Sequence, residues 1–273
     1  MSLGMISVET NSDHEGGIMI LTRDYLIRNL SEGVITADLS SWEEFSKMVT
    51  GRVLNTGNYI WRGQRSPDWL LESTFDRMLK KLDHSDSLRY LKNLKLGSGG
   101  RGELNSENPE SDDDWWAAGL HYGQVTPLLE WTISPFIAAY FAFCKDGNQP
   151  ERRAIYAFAQ RVALVINKEL KIMNPGTNED DLFVKYINPS FDDNSRLANQ
   201  SGLFTKSPTG VDIERWVREN FSVVSKAKVI LLKLTLPGTE RTAFLKALNR
   251  ININKSTLFP SYRETPKFSN RMC

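Results

Sequence analysis

The chain has 273 residues, enough to bury a substantial core as one large domain or two small ones. Its 34 basic and 33 acidic side chains leave a net charge of +1, so no global field steers it onto DNA or an anionic membrane, and any nucleic-acid contact has to be local. Two cysteines are too few for a disulfide framework or a cysteine-rich zinc site. No run nears the roughly 20 apolar residues that span a bilayer, and no basic start leads an apolar core, so the expectation is a cytoplasmic chain with no membrane partner.

In chain order, Met1-Ser2-Leu3-Gly4 before Met5 reads as an expression scar. Residues 5 to 38 form a polar start with short strand-like pieces. Residues 1–40 are read as an N-terminal extension, 41–265 as the main domain and 266–273 as a tail. Ser41-Trp42-Glu43-Glu44 has capping-box spacing and opens a helix with Trp42, Phe45 and Met48 on one face. Tyr59-Ile60-Trp61 is rich in strand formers and delivers Arg62 at its end, where Gly63 releases the backbone into a turn.

From Ser73 the spacing of Phe75, Met78, Leu79 and Leu82 predicts a helix that extends as far as Leu94. Residues 97 to 114 are glycine-rich and then acidic and read as a surface insertion. Gly97, Gly99 and Gly102 satisfy G-x-G-x-x-G but lack the strand before and helix after that a dinucleotide site needs. Trp115-Trp116 begin a helix leading to His121. Ser134 and Pro135 are the N-cap and first turn of a helix from Phe136 to Phe143, apolar nearly all round and therefore central.

Cys144 ends that run as a small core residue, and Cys273 is an exposed thiol. Ala154 to Ala159 and Lys228 to Leu236 are strands, and Arg215 to Phe221 and Arg241 to Leu248 are helices, with Thr239 as a cap for the second. Strands and helices alternate without a βαβ rhythm, which predicts an α+β fold of mixed or antiparallel sheet with surrounding helices.

Three runs carry candidate chemistry. Trp61-Arg62-Gly63-Gln64 places a planar guanidinium with five donors at a strand end, suited to a diphosphate or carboxylate. The alternative is a structural arginine paired with a carboxylate such as Glu130. In the second run, from His121 to Pro135, Glu130 alternates with Leu129 and Trp131. Thr132 and Ser134 there stand at a helix start, where unpaired N–H groups favour anions, although capping alone also explains Ser134. His121 is of the proton-transfer class, or else a hydrogen-bonded structural histidine. With only His14, His84 and His121 in the chain and no ligand spacing, no metal site is expected. The third run, Arg196 to Thr205, brings Arg196, Asn199 and Gln200 ahead of Phe204 as a second cleft wall, or as a loop that needs Gly202 for a left-handed turn.

These runs resemble the FRG domain, named for its aromatic-Arg-Gly signature. The similarity lies in Trp61-Arg62-Gly63-Gln64, Trp69-Leu70 through Arg77, His121-Tyr122-Gly123, Leu128 to Pro135 with Ala138-Ala139-Tyr140-Phe141-Ala142, Arg196 with Gln200, Gly202 and Phe204, and Phe259-Pro260. It extends from about Ser41 to Pro260. The chain departs from the family pattern at Pro127, where arginine is usual, at Glu130, where aspartate is usual, and at Ser261, where an acidic residue is usual. The resemblance implies no particular reaction. Its layout is distantly similar to ADP-ribosyltransferases, yet the glutamate of their Gln-x-Glu motif has no counterpart, because Gln200-Ser201-Gly202 presents glycine there.

The leading expectation is therefore a nucleotide-binding cleft with ADP-ribosyl-transferring or NAD-cleaving chemistry and NAD as the cofactor to test. Arg62 would neutralise diphosphate, with Gln64, Arg196 and Gln200 among the ligand contacts. Thr132 and Ser134 would position ribose, Trp61 or Tyr122 would stack on a ring, and Glu130 and His121 would be catalytic. The alternatives are a non-catalytic module for nucleic acid or an acidic ligand, and a buried polar network of Arg62, Glu130 and His121 that locks the core.

Overall fold

A computed structural model describes residues 26–51, 59–80, 112–121, 124–145, 151–187, 199–224 and 229–259. Several expectations lie outside the described residues: the insertion up to residue 111, the second helix beyond residue 80, Tyr122, Arg196, Ser261 and Cys273.

Eight strands form one sheet: β1 (Leu26–Ser31), β2 (Val34–Asp38), β3 (Tyr59–Gln64), β4 (Leu129–Thr132), β5 (Arg152–Ala159), β6 (Lys185–Ile187), β7 (Gly202–Lys206) and β8 (Leu231–Pro237). Their order is β1-β2-β8-β5-β3-β4-β7-β6. Only β2 and β8 run parallel; every other neighbouring pair is antiparallel. The α+β class expected from the irregular strand–helix order is the class observed. β1 and β2 lie upstream of the boundary expected at residue 41, yet they are hydrogen-bonded members of the sheet. Their hairpin turns through Glu32 and Gly33, with φ of 49° and 80°, a two-residue turn that favours glycine.

The helices follow from local signals of differing strength. Ser41 caps α1 (Trp42–Thr50), its hydroxyl accepting from the Glu44 N–H, while the Glu44 carboxylate accepts from the Ser40 N–H. Ser73 caps the short α2 (Thr74–Leu79). α3 (Asp112–His121) begins three residues before Trp115, so the last acidic residues assigned to the insertion form its first turn, where negative charge meets the positive end of the helix dipole. α4 (Pro135–Phe143) has its cap and proline as expected and buries Ile137, Ala138, Ala139, Tyr140, Ala142 and Phe143. Cys144 is partly buried at its end, packed against the core.

α5 (Gln160–Met173) leaves β5 with no side-chain cap and was not anticipated. Asp212 caps α6 (Ile213–Asn220), accepting from the Glu214 and Arg215 N–H groups. α7 (Arg241–Arg250) has Glu240 rather than Thr239 at its N-cap, with no side-chain cap, and follows directly from the 3-10 turn Gly238–Glu240. α8 (Lys255–Leu258) is capped by Asn254. Among the described residues no helix is long and apolar enough to cross a membrane.

The core is aromatic where α1, α4 and α7 meet. The rings of Trp42, Phe45, Phe136, Phe143 and Phe244 touch one another, with Phe143 and Phe244 stacked at 4.2 Å. α4 lies so close to β3 that a Cβ on Gly63 would stand 1.9 Å from the Ala138 carbonyl oxygen and 2.7 Å from the Ala142 nitrogen. This corrects the sequence reading of Gly63. It starts no turn; it is a strand residue paired with Ile155, and the strand runs on to Gln64. Glycine is needed there for helix–sheet approach. Gly202 is likewise a strand residue, opposite Thr132, and the left-handed backbone expected of it belongs to Ser201, with φ of 46°.

Candidate functional site: a cleft between two signature strands

The ladder between β3 and β4 consists of a single pair, Trp61 opposite Thr132. Beyond it the Arg62 side chain takes over, Nη1 donating to the Glu130 carbonyl oxygen at 2.6 Å. Where backbone pairing gives way, a cleft of about 660 Å³ opens, lined by both signatures: Trp61, Arg62, Gly63 and Gln64 from β3, and Glu130, Trp131 and Thr132 from β4. The loop after β3 and the start of α2 add Arg65, Asp68, Trp69, Leu70, Glu72, Thr74 and Arg77. Leu120, Gln124, Phe141 and Gln200 complete the lining.

Arg62 is under-bonded for a partly buried cation. Among the described residues, its Nη1 contact with Glu130 is the hydrogen bond its guanidinium makes, and Nε is sealed from water without a partner. Burial lowers its pKa from 12.5 to about 10, against the attraction of Glu130 and with the repulsion of Arg77 adding to the shift. A donor left in this condition costs roughly 1–3 kcal/mol. Gln64 shows the same imbalance: its amide nitrogen donates to the Leu70 carbonyl at 3.2 Å, while its buried Oε1 accepts nothing.

The other polar groups are more fully engaged. Arg77 donates to the Glu72 carbonyl at 2.9 Å and to the Thr74 hydroxyl at 3.1 Å. The Glu72 carboxylate accepts from Lys80 at 2.5 Å, and Asp68 accepts from the Ser66 hydroxyl at 3.3 Å. Glu130 also lines the cleft, and its negative charge acts on Arg62.

The two hydroxyls expected to meet a ligand have structural partners. Thr132 is buried, donates to the Gln200 carbonyl at 2.7 Å and accepts from the Ser134 N–H at 3.1 Å. Ser134 accepts from the Ile137 N–H at 3.3 Å as the cap of α4, and it does not line the cleft. Gln200 reaches the lining, but its amide donates to the Leu258 carbonyl at 3.2 Å. Trp61 is only 2% exposed, its ring packed beside Tyr59, so it offers a wall rather than an open ring face. His121 is the last residue of α3, next to the lining residue Leu120; its side chain is not among those described.

The sequence reading did not assign Arg65, Arg77, Trp69 or Gln124 to the site. The available signal was the resemblance through Trp69 to Arg77, where cations and aromatics follow the signature closely. Among the described residues no cluster of three histidine, cysteine or acidic side chains is placed to hold a metal.

Residues 57–151 match the family model of the FRG domain, and the chain therefore contains an FRG domain. The match is shorter than the span over which the motifs are similar, but it covers every residue that lines the cleft except Gln200. No curated protein and no solved structure matches the chain.

Proposed function

We propose that the cleft binds a nucleotide or another phosphate-bearing ligand. The observation that carries this reading is Arg62, a cation on the cleft wall with one acceptor among the described residues and a pKa lowered by burial. A phosphate in the cleft would accept from the terminal guanidinium N–H groups, which are not sealed as Nε is, and a second cation, Arg77, lines the same space. The volume of about 660 Å³ suits a nucleotide-sized guest, since ligand pockets run from about 300 to 1,000 Å³. Were the ligand NAD, Glu130 would be the group beside the diphosphate site able to stabilise positive charge on the ribose as nicotinamide departs.

A non-catalytic module is the second reading, and Gly202 favours it. At the position corresponding to the transferase glutamate, the chain has a glycine whose backbone is paired with Thr132. Calorimetric titration of the intact protein with NAD, ADP-ribose, ATP and pyrophosphate, run beside an assay for released nicotinamide, tests both. Heat with any of these compounds supports the cleft, and nicotinamide release that Glu130→Gln abolishes without weakening binding supports catalysis. Binding without release selects the module, and no heat with any compound rejects the proposal.

A further inference from the structure

Trp69 is the one exposed aromatic side chain among the described residues, and it sits on a loop that is tied down rather than loose. The Gln64 amide holds the Leu70 carbonyl at 3.2 Å, the Tyr156 hydroxyl holds the Pro67 carbonyl at 3.4 Å, and the Arg153 guanidinium holds the Arg65 carbonyl at 3.4 Å. Within the loop the Asp68 N–H donates to the Ser66 hydroxyl at 3.2 Å and the Trp69 N–H to the Ser66 carbonyl at 3.4 Å. Leu71, the next residue after Leu70, is anchored in the core at 1% exposure.

A tryptophan gains free energy by leaving water, yet this bracing keeps Trp69 and Leu70 each 47% exposed where they line the cleft. The Arg65 guanidinium lies over the Trp69 ring at 4.9 Å from its centre, fixing the ring's orientation and covering one of its faces. A rigid aromatic surface with a cation behind it, sharing a cleft with Arg62 and Arg77, has the parts needed to take a planar, electron-rich ring joined to an anion.

We propose that Trp69, backed by Arg65, is the platform on which a nucleobase stacks, so that the ligand class is a mononucleotide or dinucleotide rather than a bare phosphate or a sugar phosphate. This rests on the phosphate-binding reading of the same cleft. It assigns the stacking role to a residue outside the signature motif, since the signature tryptophan, Trp61, is buried. One base and its phosphates match the volume of about 660 Å³ better than a strand of several nucleotides would.

The test is the affinity of the full chain, as wild type, Trp69→Ala and Trp69→Phe, for ADP, ribose 5-phosphate, pyrophosphate and a short single-stranded RNA. Loss of one stacking contact corresponds to about tenfold in affinity or more. The expected result is that Trp69→Ala weakens ADP by at least about that factor, leaves pyrophosphate unchanged, and is largely rescued by Trp69→Phe. Equal ADP affinity in Trp69→Ala, or ribose 5-phosphate binding as well as ADP, overturns the platform and leaves the phosphate reading intact. If the RNA binds and ADP does not, the ligand is a strand and the mononucleotide assignment falls. If the wild type binds none of the four, both proposals fail together.

Discussion

Arg62 and Gly63 are adjacent on β3 and answer to different neighbours. Arg62 reaches across the splayed strands to the Glu130 carbonyl, and its requirement is an acceptor. Gly63 meets the backbone of α4, and its requirement is the absence of a side chain. The sequence made Arg62 visible because a guanidinium after a run of strand formers is conspicuous. The reason for Gly63 was hidden, because Ala138 and Ala142 are remote in sequence and a glycine after an arginine reads locally as a turn. Gly63→Ala should be destabilising at or above the top of the roughly 1–3 kcal/mol range for overpacked cores, because the clash is with helix backbone rather than a movable side chain. Thermal or denaturant unfolding measures this; a melting temperature equal to wild type would show that α4 can shift to admit a methyl group. Thr132 and Gln200 teach a related lesson. Their residue types were recognised, but Thr132 bonds to the Gln200 carbonyl and Gln200 to the Leu258 carbonyl, contacts that only the folded chain brings together.

Among the elements, two helices were announced by their caps, whereas α8 went unread despite its Asn254 cap and α7 was legible without one. Ser41 and Ser134 each announce a helix, and α1 and α4 begin where those residues indicate. α5 was missed because β5 passes directly into it at Ala159, with no capping side chain and no turn residue between them. Its buried positions Val162, Ala163, Ile166 and Leu170 do repeat at helical spacing, but the exposed Leu164, Val165 and Ile172 blur the stripe. At α4 the cap also decides between two roles for one hydroxyl. Ser134→Ala should lower stability by about 1 kcal/mol through loss of the cap while leaving nucleotide affinity unchanged. Weaker binding in a variant that melts normally would return Ser134 to the ligand.

Across the whole molecule, four of the seven strand pairings among the described residues join strands that are not consecutive in the chain. β2 pairs with β8 over five residues from Val34↔Leu231 to Asp38↔Thr235, and β5 lies between β8 and β3. Local periodicity carries no information about such pairings, which is why residues 5 to 38 read as a polar start whose strand-like pieces had no partner. Deleting residues 1–40 should therefore expose the β8 edge and cause aggregation or a large fall in melting temperature, measured by size-exclusion chromatography and thermal melting. A monomeric truncated protein of unchanged stability would support a boundary at residue 41. The cleft has a different origin: β3 and β4 are consecutive strands that share one residue pair and then separate, with Arg62 in the opening.

The most direct test of that cleft is the binding of pyrophosphate to the wild type and to Arg62→Ala, each with its melting temperature recorded. A phosphate site requires Arg62→Ala to lose roughly 1.5–3 kcal/mol of binding, the range for a hydrogen bond to a charged group, while the protein stays folded. Unchanged pyrophosphate affinity, or a collapse of melting temperature with no pyrophosphate binding in the wild type, would make Arg62 a structural residue and contradict the account.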